Sequence, residues 1–287
     1  MKPTAASLTY MGGLTSATIK AGGVTFAVDT GKDIAIAQSL LTDGLSSGGL
    51  TKLGNGILAL SGVSTYAGTT MVNGGTLVAG NASALGTPAA GTTVASGATL
   101  DVLANIGTEA IGIAGSGVGG GGALITSVGT GMVGGAVTLV NHASIGGAGA
   151  LKVSGAISGA TFTVTKLGAG TTTLSGAQNY GMLTTSAGVT MVDGAFTGGT
   201  ATVNANATTK FGASQTLAAL NIAAGVVVTL TEPVPMPPAP PAAADGFGQA
   251  GDGLAGSPAQ AVPEPGVAVS FFGGLIALLS IHRRRNA

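Results

Sequence analysis

Residues 51–62 read TKLGNGILALSG, and residues 165–176 read TKLGAGTTTLSG. In both copies, alternating apolar and small or polar residues flank a Gly-x-Gly, which is typical of two short strands joined by a tight turn. Self-similarity of this kind in a glycine-rich chain predicts a solenoid, because each unit buries its apolar face only against its neighbours.

The similarity extends beyond these twelve residues. A tyrosine follows each copy at the same distance, and TMVNG at 70–74 matches TMVDG at 190–194 after a six-residue insertion. We expect the tyrosines to pack between coils rather than to form a binding platform, since two residues so far apart do not make one. The repeat signature comprises Gly54, Gly56, Leu60, Gly62, Tyr66, Gly168, Gly170, Leu174, Gly176 and Tyr180.

The composition indicates an all-β fold for residues 1–230. The chain has 53 glycines in 287 residues and only 7% charged residues, against about 25% in an average soluble domain. Glycine and asparagine allow the positive φ that tight corners need. We therefore predict a right-handed parallel β-helix with about 20–25 residues per turn and on the order of ten coils. Residues 33–41 are ambiguous and fit a helical turn as well.

The sequence disfavours several kinds of function. It contains no cysteine for a thiolate metal site or nucleophile, and its ten basic and ten acidic residues do not suit a nucleic-acid binder. His142 stands alone, and the G-x-G-x-x-G at 115–120 lacks a following helix pattern. We predict no catalytic residue, metal or cofactor. The alternative is a carbohydrate-active β-helix enzyme, a lyase or hydrolase, which would need acids clustered on one solenoid face.

The C-terminal segment has a different character. Residues 231–261 are rich in Pro, Ala and Gly and predict a disordered linker. An apolar run follows at 267–281, about 22 Å long as a helix against a hydrocarbon core of about 30 Å. The basic cluster Arg283, Arg284 and Arg285 ends this short transmembrane helix and predicts a cytoplasmic C-terminus. A permanent single-span anchor and a buried core helix are the alternatives.

Residues 262–287 resemble the PEP-CTERM sorting signal of bacteria, because Pro263, Glu264 and Pro265 precede the apolar run and the arginines. The resemblance implies that this tripeptide is recognised by an exosortase, a membrane protease that processes exported proteins. It makes the exosortase and the inner membrane the expected partners. Export also needs a signal peptide, and no apolar segment follows Lys2, so we expect the true start to lie upstream.

The repeat unit at 51–80 resembles the autotransporter-associated repeat of secreted β-helical passengers, and residues 210–230 resemble the closing coils that precede PEP-CTERM tails. These resemblances imply a protein that is exported to the cell surface or beyond. We expect a structural or adhesive role in an envelope or exopolysaccharide matrix, with no enzymatic activity.

Overall fold

Parallel strand pairing builds the whole of the described structure. The computed structural model describes residues 11–45 and 47–230, which lie within the unit Met1–Glu232. These residues contain no α-helix and one short 3-10 turn, Val118–Gly120. The strands of the first half are β1 (Ala17–Ile19), β2 (Val24–Ala27), β3 (Ile34–Ile36), β4 (Leu40–Thr42), β5 (Leu50–Leu53), β6 (Ile57–Leu60), β7 (Thr70–Val72), β8 (Thr76–Ala79), β9 (Thr92–Val94), β10 (Thr99–Val102), β11 (Ile111–Gly115) and β12 (Leu124–Ile125). Those of the second half are β13 (Thr130–Val133), β14 (Val137–Gly146), β15 (Ala150–Val153), β16 (Ile157–Leu167), β17 (Thr171–Leu174), β18 (Gln178–Thr185), β19 (Val189–Val192), β20 (Thr202–Ala205), β21 (Thr208–Phe211), β22 (Ala219–Ile222) and β23 (Val228–Leu230).

The strands stack into three faces. Face 1 consists of β2, β5, β7, β9 and β11, followed by the first halves of β14, β16 and β18. Face 2 consists of β3, β6, β8, β10 and β12, then the second halves of the same three long strands, then β20 and β22. Face 3 consists of β13, β15, β17, β19, β21 and β23. The long strands β14, β16 and β18 therefore bend from face 1 to face 2 without a break in the chain.

The third side is built differently in the first half of the solenoid. There, β1 pairs with β4, and the later coils contribute irregular backbone instead of strands. This backbone is still bonded from coil to coil, since Thr65 N donates to Leu40 O (2.9 Å) and Thr87 N donates to Tyr66 O (2.9 Å). The ambiguous residues 33–41 form β3 and the start of β4, so the helical-turn option for them was wrong.

The predicted parallel β-solenoid is confirmed, with about 11 turns. The register advances 20 residues from Leu50 to Thr70 on face 1 but 17 residues from Val203 to Leu220 on face 2. Side chains alternate between the interior and the surface, so that in β6 Leu58 and Leu60 point inward. The predicted linker and transmembrane helix lie outside the described residues.

The interior holds aliphatic side chains and, in the second half, a stack of threonines. Thr185 donates its hydroxyl to Thr190 (2.9 Å), and Thr209 donates its hydroxyl to Thr185 (3.1 Å). All three are fully buried. Because their hydroxyls bond to one another, within one coil and to the next, these polar side chains occupy the core without being left unsatisfied.

A column of glycines marks the corner between face 3 and face 1. Gly135, Gly155, Gly176 and Gly194 follow consecutive strands of face 3 and lie over one another in successive coils. A Cβ built on Gly155, Gly176 or Gly194 would overlap the carbonyl of the glycine one coil earlier. None of the four has a positive φ. Close approach of the backbone, rather than an unusual conformation, therefore explains the absence of side chains here.

We predict that Gly176→Ala lowers the free energy of unfolding by about 1–3 kcal/mol, because its methyl group overpacks a site bounded by backbone. Gly22→Ala is the matched control, since a Cβ there meets nothing within 4 Å and Gly22 has no positive φ. The control should leave stability unchanged or raise it by up to about 1 kcal/mol. Urea denaturation followed by circular dichroism measures both, and equal midpoints for the two variants would contradict the close-approach explanation.

Candidate functional site

The two copies of the repeat form the same local structure at different corners. Residues 51–62 run from β5 to β6, which is the corner from face 1 to face 2. Residues 165–176 run from the end of β16 to β17, which is the corner from face 2 to face 3. The first turn glycine has φ 76° in Gly54 and φ 74° in Gly168. The unit thus specifies a strand, a corner and a second strand, and not a position on the solenoid.

The other signature residues serve the same corners. A Cβ on Gly56 or Gly170 would overlap a carbonyl of the preceding coil. A Cβ on Gly62 would overlap the backbone of Gln38 in the same way, and a Cβ on Gly176 would overlap Gly155 of the glycine column. The leucine at the end of the second strand points inward in both copies and is buried; these residues are Leu60 and Leu174.

A buried lysine closes each corner from the inside. Lys52 Nζ donates to the carbonyls of Leu53 (3.1 Å), Gly54 (2.8 Å) and Gly74 (3.0 Å). Both Lys52 and Lys166 are 0% exposed. The sequence has a lysine at the same place in both copies, but it did not predict that these lysines lie in the interior. Lys166 Nζ likewise donates to three carbonyls, those of Gly168 (2.6 Å), Gly170 (2.6 Å) and Ala187 (2.9 Å).

Burial makes these two lysines weaker bases than usual. It lowers the pKa of Lys52 to about 8, although the negative charge of Asp33 opposes the shift. Burial also lowers the pKa of Lys166 to about 8. Removal from water penalises the ammonium form in both cases. Each ammonium is nevertheless matched by three carbonyl acceptors, one for each of its protons.

The repeats diverge after the corner. In the first copy, Thr70, Met71 and Val72 lie directly over Leu50, Thr51 and Lys52 on face 1. In the second copy, the matching residues 190–192 lie on face 3, over Thr172, Thr173 and Leu174. Residues 183–185 lie over the second lysine strand instead. The six-residue insertion therefore moves the TMV segment to the face after the one that carries the lysine.

Both signature tyrosines are buried. Tyr66 is 0% exposed, and its hydroxyl lies 2.6 Å from Thr70 Oγ1. Tyr180 packs edge-to-face against Phe196, with ring centroids 5.4 Å apart. Its hydroxyl has no hydrogen-bond partner in the described structure, and burial raises the pKa of Tyr180. The tyrosines thus lie in the core and offer no platform to a ligand.

An acidic residue, Glu109, lies inside the solenoid near Tyr66. Its interior position was not predicted from the sequence. Glu109 is 3% exposed and accepts a hydrogen bond from the Thr92 hydroxyl (2.7 Å). Burial raises the pKa of Glu109, and this hydrogen bond opposes the shift. Burial and then the charge of Glu109 raise the pKa of Tyr66, while its hydrogen bond with Thr70 acts against them. Thr70 and Thr92 are neighbours in the face 1 register, so this polar cluster follows the strand stack.

Several remaining acids cap the backbone. Asp33 accepts from Ile57 N (2.7 Å), and Asp43 accepts from Leu45 N (3.0 Å). Asp101 accepts from both the amide (2.9 Å) and the hydroxyl (2.6 Å) of Ser127. Within residues 11–45 and 47–230, no three His, Cys, Asp or Glu side chains lie close enough together to hold a metal ion.

His142 and the glycine-rich loop are also engaged in the structure. His142 Nδ1 accepts from Thr163 N (3.0 Å), and its ring contacts Phe162 edge-to-face. The G-x-G-x-x-G at 115–120 starts at the last residue of β11 and ends before β12. It folds over face 2, where the Thr99 hydroxyl donates to Gly122 O (2.8 Å) and accepts from Val118 N (2.9 Å). The loop precedes a strand, so the helix that a dinucleotide site requires is not formed here.

What remains for partners is the outer surface. One outward column runs along face 1, one residue per coil, and contains no charged side chain. Most of its residues carry a side-chain hydroxyl, and the last one carries a side-chain amide. Successive residues of the column are separated by the strand spacing of about 4.8 Å. The column consists of Thr25, Thr51, Met71, Thr93, Gly112, Thr138, Ser158 and Asn179.

Comparison with known proteins bears on the first repeat. Residues 50–79 match the family model of the passenger-associated transport repeat. The match spans β5 to β8, which is one lysine corner and the pair of strands that stacks on it. No curated protein and no solved structure matches the chain.

The passenger-associated transport repeat and the β-solenoid together fit a secreted or surface, passenger-like protein. Within the described residues, no helix has the length and apolar character needed to cross a membrane. The sorting residues Pro263, Glu264 and Pro265, the run at 267–281 and the cluster Arg283, Arg284 and Arg285 lie outside the described residues.

The buried lysines predict a rise in stability with pH. In the unfolded chain a lysine keeps a pKa near 10.5, whereas Lys52 and Lys166 have about 8 when folded. Between these values the unfolded chain binds more protons, so the free energy of unfolding should increase from pH 8 to pH 9.5, before tyrosines titrate. Urea midpoints should show this slope in the native protein and lose most of it in Lys52→Met/Lys166→Met. The control is Lys152→Met/Lys210→Met at exposed positions, and an equal slope in both double variants would contradict the assignment.

Proposed function

We propose that the protein is a structural or adhesive component of the bacterial cell surface, sorted there by its C-terminal PEP segment and held in an exopolysaccharide or envelope matrix. The observation that carries the proposal is the face 1 column, a row of outward positions without a charged side chain that runs along the solenoid. Each hydroxyl makes one weak contact, and regular repetition along the axis multiplies such contacts. A polymer lying along the solenoid can use many of them at once.

A structural role agrees with how the carboxylates are used. Asp33, Asp43 and Asp101 bond to backbone amides, and Glu109 lies inside the core with Thr92. A glycosidase or lyase needs two carboxyl groups facing one substrate in an open cleft. Acids with backbone or interior partners do not provide that arrangement, so binding without turnover is the function that this geometry supports.

The sorting step is proposed from the sequence of the tail. Pro263, Glu264 and Pro265 act as a recognition element for an exosortase, and Arg283–Arg285 stop transfer at the inner membrane. Processing then releases the solenoid outside the cell. The repeat match to secreted passengers supports the outward destination but says nothing about the enzyme that processes the tail.

Glu264→Gln tests the sorting step in the producing bacterium. We expect the native protein to appear at the surface without Arg285, and the variant to accumulate in the membrane fraction with its C-terminus intact. Mass spectrometry of the C-terminal peptide distinguishes the two forms. Glu232→Gln, an equal change near the start of the linker, is the control and should be processed normally. An intact Arg285 in native surface protein would contradict processing.

Matrix binding is tested by cosedimentation of purified protein with insoluble exopolysaccharide from the same bacterium. Introducing charge on face 1 with Thr51→Glu, Thr93→Glu and Thr138→Glu should reduce the bound fraction at least about fivefold, because each carboxylate must lose water at the contact. Thr130→Glu, Thr173→Glu and Thr208→Glu on face 3 form the matched control. Equal losses in the two triple variants would exclude face 1 as the binding surface. No binding by the native protein would contradict the matrix role itself.

A further inference from the structure

A groove crosses the first three coils of the solenoid beside the starts of β2, β5 and β7. It has a volume of about 220 Å³. Three of the residues that line it, Thr25, Thr51 and Met71, are also the first three members of the face 1 column. The groove therefore continues the row of outward side chains on which the proposed binding role depends.

Two glycines keep the groove open. Gly23 and Gly49 line it at the positions just before β2 and β5. A Cβ on Gly23 would lie 2.8 Å from Gly49 O, and a Cβ on Gly49 would overlap Thr69 O. Gly23 also has φ 68°, a left-handed backbone conformation that favours glycine. Close stacking of the coils thus excludes side chains here, and backbone forms part of the groove surface.

The groove offers a ligand both polar and apolar contacts. Thr51 is partly exposed, and its hydroxyl can donate as well as accept a hydrogen bond. The Thr69 hydroxyl donates to Ala90 O (3.5 Å), which leaves the lone pairs of its oxygen as acceptors. Met71 is 41% exposed and supplies an adaptable apolar surface. A sugar ring suits this combination, because its hydroxyls lie around its edge and its C–H groups lie on its faces.

Charge and size restrict the ligand further. None of the described residues that line the groove is charged. A carboxylate or phosphate group would therefore lose water there without gaining a cation as its partner. The groove is also smaller than the clefts of roughly 300–1,000 Å³ that enclose drug-sized molecules. These properties favour one neutral ring of a longer chain over a charged ligand or a large free molecule.

We propose that this groove binds one neutral sugar unit of a polysaccharide that lies along face 1. Thr51 and Thr69 form hydrogen bonds with hydroxyls of the sugar, and Met71 packs against a C–H face of its ring. The following units of the polymer then contact the rest of the face 1 column. The inference rests on the proposed matrix role and deepens it, because it names the class of sugar and the three coils that bind it.

Methyl NMR of methionine-labelled full chain tests the proposal, because methionines report on all three faces. Met71 lies in the groove, Met182 lies on face 2, and Met132 and Met191 lie on face 3. The probe is the neutral oligosaccharide fraction from partial hydrolysis of exopolysaccharide from the same bacterium, and the acidic fraction is the comparison. We expect the neutral fraction to shift the Met71 signal saturably and to leave the other three signals unchanged. An unchanged Met71 signal would overturn the proposal, and tighter binding of the acidic fraction would overturn the assignment to a neutral sugar.

Two pairs of variants locate the contact. Thr51→Phe fills the middle of the groove and should weaken binding of the neutral fraction at least about tenfold. Thr93→Phe, the same change two coils further along the face 1 column and outside the groove, is the matched control. Thr51→Val removes only the hydroxyl and should weaken binding about two- to tenfold, whereas Thr93→Val should not. Equal affinities of the two phenylalanine variants would overturn the groove as the binding site.

The groove proposal and the matrix proposal fail separately. If the native protein cosediments with exopolysaccharide but the Met71 signal does not respond to the fragments, the groove assignment falls and the matrix role stands. If the Met71 signal responds but the native protein does not cosediment, the matrix role falls and the groove remains a sugar-binding site.

Discussion

Coil-to-coil hydrogen bonding at a single strand spacing is the constraint on which the structure depends. Every strand pair is parallel, and each coil must lie about 4.8 Å from the next around its whole circumference. Strands meet this requirement easily, because their side chains point into the interior or out to solvent. Corners do not, because there the backbone of one coil passes directly over the backbone of another. The glycine column Gly135, Gly155, Gly176 and Gly194 is the consequence, since a methyl group at these positions has no space.

The corners also place backbone carbonyls around a buried cation. The Lys52 and Lys166 ammonium groups each donate to three carbonyls from within, and two of these carbonyls, Leu53 O and Gly170 O, also accept a backbone N–H. A buried cation is costly on its own, but it is tolerated where its donors are fully matched. In both copies of the repeat, the glycines therefore leave space for the backbone of the neighbouring coil, and the lysine donates hydrogen bonds to the corner carbonyls.

The same architecture bears on the proposed structural or adhesive role. A solenoid places short side chains in regular columns on a long surface but forms few concave sites. Asp101 and Glu109 could have been functional in another setting, yet one is capped by Ser127 and the other lies among interior threonines. The proposed binding role therefore uses the extended polar surface of the face 1 column.

The amino-acid sequence by itself determined the fold class, the corner-forming repeat and the scarcity of catalytic groups. These are local properties, because alternation, glycine placement and charge content can be read within a few residues. Only the tertiary structure decided which face each repeat occupies, since the copy at 51–62 and the copy at 165–176 take different corners with the same local geometry. It also decided that residues 33–41 form β3 and the start of β4, and that Lys52, Lys166 and Glu109 lie inside. Those outcomes depend on which coil lies above and below, and the stacking register joins residues about 20 positions apart that no local pattern connects.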